Sequence, residues 1–143
     1  DLPTIAGYWA GRDIEAQTDA GIKTGASAGE AAAKRAEDKN RLLDALVHAG
    51  ALKQAQPGEE PATAALREAV HAFLSASASQ LFAAQVDDLL DEFMQLNLPG
   101  TVDTYPNWRR KLRVALEDPA FKWALSEFAR TARARSVSAE RPA

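Results

Sequence analysis

Asn97-Leu98-Pro99-Gly100-Thr101-Val102-Asp103-Thr104-Tyr105-Pro106-Asn107-Trp108-Arg109-Arg110-Lys111-Leu112 decides how this chain is read. The prolines, the glycine, the asparagines and the tryptophan follow no hydrophobic period, so neither a helix nor a strand accounts for the composition. A simple linker has no need of a tryptophan followed by consecutive basic residues. The stretch reads as an ordered loop, and the remaining sequence supplies the elements around it.

Downstream, Glu117–Arg135 reads as the last helix. Asp118-Pro119 is a helix start, Phe121, Leu125, Phe128, Ala129 and Ala132 line one face, and Trp123 is expected to pack within it. Residues 136–143 form a fraying tail. Upstream, Asp87–Leu96 reads as helical, while Leu81–Val86 fits a helix or a strand paired with another chain. Ala62–Ala76 is a helix with Leu66, Val70, Phe73 and Leu74 at helical spacing, and Gln54–Pro61 is a polar loop. Ser27–Ala49 is a long helix opened by a capping box, Ser27 with Glu30, and stopped at Gly50. Leu42, Leu43, Leu46 and Val47 form its apolar side; Lys34, Arg35, Glu37, Asp38, Lys39 and Arg41 are expected in solvent. Thr4 caps a short helix from Ile5, which Gly7, Gly11, Gly21 and Gly25 keep short.

With 143 residues the chain suffices for one buried core but not for a complete (β/α)8 barrel, which takes about 250. Apolar residues at 46% and charged residues at 26% describe a globular chain, with alanine supplying much of the apolar share. A net charge of -3 gives no general drive toward nucleic acid or anionic membrane. The absence of cysteine excludes disulfides and thiolate chemistry, and two histidines leave little for a metal site. No apolar run approaches the roughly 20 residues needed to span a bilayer, and no basic leader opens the chain. A cytoplasmic location is expected, and the first residue, Asp rather than Met, reads as a cut.

The loop closely resembles the N-x-P-G-T-x-D-x-x-P-N-W-R-R-K-L signature near the C-terminus of bacterial 4-alpha-glucanotransferases (amylomaltases, glycoside hydrolase family 77). Asp1-Leu2-Pro3-Thr4-Ile5-Ala6-Gly7-Tyr8-Trp9 and Gln85-Val86-Asp87-Asp88-Leu89-Leu90 carry further resemblance. It implies a C-terminal fragment of a TIM-type barrel: mainly α, a helical bundle with at most one or two short strands when isolated. The implied divisions are 1–26, a post-strand catalytic loop and short helix; 27–79, a helical pair; 80–116, the last strand region and signature loop; 117–135, the final helix; and 136–143, the tail.

The resemblance also implies a retaining transglycosylase that needs no cofactor or metal. A carboxylate nucleophile forms a glycosyl-enzyme, a second carboxyl serves as acid and then base, and an acceptor sugar replaces water. Asp1 matches a third family carboxylate, which stabilises the transition state. Asn97, Gly100 and Trp108 match the loop beside the substrate cleft. The nucleophile and acid/base would lie upstream, so the fragment alone is expected to be inactive. Maltodextrin or another alpha-1,4-glucan is the implied partner of the intact enzyme, and apolar helix faces would favour self-association of the fragment.

Plainer readings stand beside these. Asp87-Asp88 fits a solvated helix start better than a carboxylate pair, because neighbours on a helix do not face one another. His48 and His71 read as surface or boundary residues, and Arg109, Arg110, Lys111 and Arg113 as a solvated face or ion-pair partners. Trp9 and Trp108 suit core packing and sugar platforms equally. The rival functional class is a stand-alone helical interaction module without chemistry; a carbohydrate-binding module would need exposed aromatics on a fixed platform.

Overall fold

The computed structural model describes residues 2–22, 25–53 and 63–139. Asp1, the expected loop at Gln54–Pro61 and residues 140–143 of the tail lie outside them. Among the described residues six helices follow in order: α1 (Ile5–Ala10), α2 (Arg12–Asp19), α3 (Ala28–His48), α4 (Thr63–Ser75), α5 (Val86–Leu89) and α6 (Pro119–Ala139). The fold is mainly helical, with no strand among the described residues. Among those residues no helix is long and apolar enough to cross a membrane.

Local chemistry sets most helix ends. Thr4 Oγ1 accepts from Gly7 N at 2.9 Å, which caps α1 as its sequence predicts. Gly11, at φ 75°, ends α1 and begins α2, so one left-handed glycine makes the corner between them. The capping box of α3 is complete: Glu30 N reaches Ser27 Oγ at 3.2 Å and Ser27 N reaches Glu30 Oε2 at 2.7 Å. Proline occupies the first position of α6, where its missing N–H removes nothing from the ladder. That helix starts at Pro119 rather than Glu117 and continues through Ala139, so residues 136–139 are helical rather than tail.

Among the described residues two clusters form the core. Trp9 of α1 meets Leu46 of α3 and Leu66 and Ala69 of α4, with Ile5, Leu42, Leu43 and Val70 around them. Trp9 is therefore core. Ala16 of α2 meets Leu98 and Tyr105, with Ala20 and Ile22 at the edge, which seats the loop against α2. On α4 the buried positions are Leu66, Ala69, His71 and Ala72, whereas Phe73 and Leu74 are exposed. Helix α4 lies along α6, its most extensive partner, with His71 of α4 against Phe128 of α6.

Several expected surfaces are corrected. Arg35 is not solvated: its guanidinium makes a bidentate pair with Asp13 at 2.9 and 2.7 Å and stacks 3.5 Å from the Tyr8 ring centre. His71 is only 4% exposed and sits between Phe82 and Phe128, with ring centres 5.9 and 5.1 Å away. Trp123 is 64% exposed on α6 and does not pack. The helix expected over Asp87–Leu96 is confined to Val86–Leu89; Asp91 takes φ 52°, which stops it, and the chain beyond is held by distant side chains. Leu81–Gln85 forms neither helix nor strand.

Gly7 marks the tightest approach. A Cβ there would stand 2.2 Å from the Phe93 carbonyl oxygen and 2.8 Å from Thr4 Oγ1. Gly7→Ala is therefore expected to destabilise the chain by about 3 kcal/mol, because backbone must move to admit the methyl group. Urea unfolding checks this, and an unchanged midpoint would contradict the packing.

Burial, aided by the Arg67 charge, lowers the His71 pKa from 6.5 to about 4. The unfolded chain thus takes up this proton first. Stability from His71 is complete above about pH 6.5 and is lost as pH falls toward 4. Asp88, whose pKa burial raises, acts in the opposite sense. His71→Phe is expected to flatten the stability profile between pH 6.5 and 4. Denaturation midpoints across that range measure it, and parallel profiles for the two proteins would refute it.

Candidate functional site

The signature loop starts as a tight turn. Thr101 N donates to Leu98 O at 3.2 Å across Pro99 and Gly100, and Gly100 has φ 86°. Proline then glycine at the two central positions suits a type II turn. A Cβ on Gly100 would meet only Ile22 Cδ1, at 3.9 Å, so the backbone angle demands glycine here rather than crowding.

Asn107 holds the loop together. Its Oδ1 accepts from Leu98 N at 2.8 Å, and its Nδ2 donates to Thr101 Oγ1 at 2.8 Å and Thr101 O at 3.1 Å. Thr101 Oγ1 also donates to Leu98 O at 2.7 Å. Tyr105 is buried, and its hydroxyl donates to Gln95 O at 2.6 Å. Burial pushes its phenol pKa up, with Arg110 opposing, so the donor proton is retained. Gln95 Nε2 in turn donates to Asn97 O at 2.8 Å.

The loop closes where Trp108 N donates to Leu96 O at 3.0 Å. That bond brings Trp108 beside Asn97, while Gly100 lies at the turn facing Ile22. Trp108 adopts φ 59° and leaves 65% of its surface exposed. A bulky side chain in the left-handed region is strained, and such strain persists where surrounding bonds over-determine it. The result is an exposed indole on a backbone held in place, and Asn97 beside it is half-buried.

Arg110 of the signature and Arg113 just after it bind the loop to the acidic segment before it. Arg110 pairs with Asp87 at 2.9 Å and Glu92 at 3.1 Å and donates to the Met94 carbonyl. Arg113 donates to the Leu90 carbonyl and lies 3.7 Å from Glu92. The basic cluster is thus partly committed to ion pairs, and Asp87 is one of its partners. Asp88 is not at a solvated helix start: it is 6% exposed and accepts from Ile5 N at 2.6 Å. Arg67 pairs with Asp91, which holds the left-handed residue in place.

The candidate residues Asn97, Gly100 and Trp108 therefore belong to one hydrogen-bonded loop, and Asp1 lies outside the described residues. Sequence reasoning missed Asn107, Thr101 and Tyr105, which carry the loop's bonds. For Thr101, its place directly after a Pro-Gly turn was the available signal; Asn107 and Tyr105 had none in their own segment. Among the described residues no three His, Cys, Asp or Glu side chains gather as a metal site.

The family model for glycoside hydrolase family 77, 4-alpha-glucanotransferase, matches residues 1–117. The 4-alpha-glucanotransferase of Haemophilus influenzae is 32% identical over 115 residues, covering 78% of this chain and 16% of that protein. Those of Mycobacterium bovis and Mycobacterium tuberculosis are each 34% identical over 110 residues, covering 76% of this chain and 14% of theirs. The chain thus spans about 14–16% of the length of these curated relatives.

The loop's geometry separates two kinds of residue. Asn107→Ala is expected to cost about 2 kcal/mol, since it strands Leu98 N and releases Thr101. Trp108→Gly should leave stability unchanged or slightly higher, because glycine relieves the left-handed strain. Thermal unfolding of both variants tests the distinction; a large loss with Trp108→Gly would make the indole a packing residue.

Proposed function

The chain belongs to the 4-alpha-glucanotransferase family, and from that premise we propose that it forms the C-terminal portion of a retaining enzyme. This enzyme moves alpha-1,4-glucan segments between maltodextrins. The observation that supports this most strongly is the family match running through the ordered signature, whose loop presents an exposed Trp108 on a fixed backbone.

In this reading the nucleophile and the acid/base lie upstream of this chain. Their carboxyl groups would stand roughly 5–5.5 Å apart across the scissile bond. Asp1 binds donor hydroxyls and favours the oxocarbenium-like transition state. Trp108 offers a ring face to a sugar, Asn97 offers both a donor and an acceptor, and Gly100 sets the turn that leaves room beside them. No cofactor or metal takes part, no nucleic acid or membrane is a partner, and the enzyme works in the cytoplasm. Separated from its neighbours, the chain performs no transfer and tends to self-associate.

The rival reading, a helical module that only binds another protein, draws on the exposed Leu116, Trp123 and Leu125. Glucose release from maltotriose separates the two. Full-length enzyme is expected to release glucose, its Asp1→Asn variant to lose about 10³-fold in kcat, and the isolated chain to match a blank. Transfer by the isolated chain, or an unaffected Asp1→Asn enzyme, would overturn the assignment of roles. An inactive but folded full-length protein would favour the binding module.

A further inference from the structure

Trp123 is a large aromatic that its helix was expected to bury and does not. It sits near the start of α6, 64% exposed, and lines a shallow groove between α4 and α6 with Arg67, Glu68, Glu127 and Thr131, above Leu89 and Phe128. The platform beneath it is packed. Phe128 of α6 meets His71 of α4 with ring centres 5.1 Å apart and Phe82 at 5.6 Å, and α6 is the most extensive partner of α4. Successive helical residues turn by about 100°, so Trp123 points about 140° away from Phe128. It shares its face with Glu127, one turn on.

The polar groups around the indole are those that hydroxyls need. Glu68 is exposed and makes no hydrogen bond among the described residues, although its charge reaches Arg130. Glu127 pairs with Arg130 at 2.5 Å, and a carboxylate has acceptor sites beyond one such pair. Thr131 adds a hydroxyl. An apolar protein surface fits this place poorly: Leu125 is two positions from Trp123 and turns to another side of α6, and Leu116 precedes the helix. A sugar ring presents an apolar face of C–H groups and an edge of hydroxyls. One indole flanked by oxygen-bearing side chains matches both.

Resting on the glucanotransferase reading above, we propose that Trp123 and Glu68 form a surface binding site for an alpha-1,4-glucan chain. The signature loop contributes no residue to it. Its indole lies beyond residue 117, where the family match ends, so that match assigns it no role. The site holds glucan and takes no part in breaking bonds.

The test titrates maltoheptaose into the Trp108→Gly chain, which lacks the loop's indole, and follows the indole N–H signal of Trp123 by NMR and Kd by calorimetry. The signal should move saturably. Adding Trp123→Ala should weaken binding at least about tenfold, whereas Trp123→Phe, which keeps a ring, should stay within about threefold. Glu68→Ala, at an exposed position, should lose about threefold, and it carries the comparison if Trp123→Ala does not fold. Cellohexaose, a beta-1,4 chain, should bind at least about tenfold more weakly than maltoheptaose. In the full-length enzyme, Trp123→Ala should leave kcat on maltotriose within about twofold.

A Trp123 signal unmoved by maltoheptaose, equal binding of cellohexaose, or unaltered affinity in both Trp123→Ala and Glu68→Ala would overturn the site. Turnover of maltotriose by the full-length enzyme would then leave the enzyme reading standing. A signal that responds only to the concentration of the chain itself would make this a protein-docking face and overturn the proposal too. A folded but inactive full-length enzyme would overturn the glucanotransferase reading, and this site with it.

Discussion

The Phe93 carbonyl lies so close to the Cα of Gly7 that no side chain fits between them, and the other contacts follow from this approach. With Gly7 in place, α1 carries Trp9 onto Leu46 and Leu66 and so fixes the main hydrophobic cluster. With Phe93 in place, the backbone on either side of it carries Glu92 and Met94 to Arg110. Arg110 anchors the far end of the signature loop, and Tyr105 and Leu98 seat its middle on Ala16 of α2. One steric constraint therefore links the hydrophobic cluster to the loop that carries Trp108.

The partly buried ion pairs have a role distinct from the apolar core. Arg35 with Asp13 joins α3 to α2, and Arg110 with Asp87 and Glu92 joins the loop to α5 and the segment after it. Desolvation offsets much of the attraction in such pairs, so they add little net stability over apolar replacements. Removing one partner is costly all the same, because it leaves a charge without its counterpart. Bidentate geometry at Arg35 fixes direction as well as distance. These pairs set which helix faces which, while Trp9, Leu46 and Leu66 supply the burial.

What the sequence made legible was local. Thr4, the Ser27–Glu30 box and Pro119 act within one turn of themselves, so their spacing announces the helix ends. The helical character of the whole follows from the same signals. The Asp87–Leu96 segment misled because its helical spacing was overridden from outside: Arg67, Arg110 and Arg113 hold Asp91, Glu92 and nearby carbonyls in an irregular path. Arg35, His71 and Asp88 looked solvated for a related reason. Their partners, Asp13, Phe82 with Phe128, and Ile5, lie on other elements, and no pattern within their own segments points to them. In the candidate site, the turn was readable from Pro99 and Gly100. The role of Asn107 depended on Leu98 and Thr101 coming into reach, which only the folded loop provides.

The seam between the start of the chain and α5 has a consequence for cooperativity. Joining Ile5 to Asp88 closes a loop of 83 residues, for which a bare chain loses about 4 kcal/mol through the length-dependent part of closure entropy. A hydrogen bond to a charged group contributes about 1.5–3 kcal/mol, so this bond cannot hold the ends together alone. Its partners are the folded helices α3 and α4, which shorten the effective loop, and Trp9 in the cluster between them. The two termini of the seam and the interior thus order as one unit, and a partly assembled chain gains nothing by joining them early.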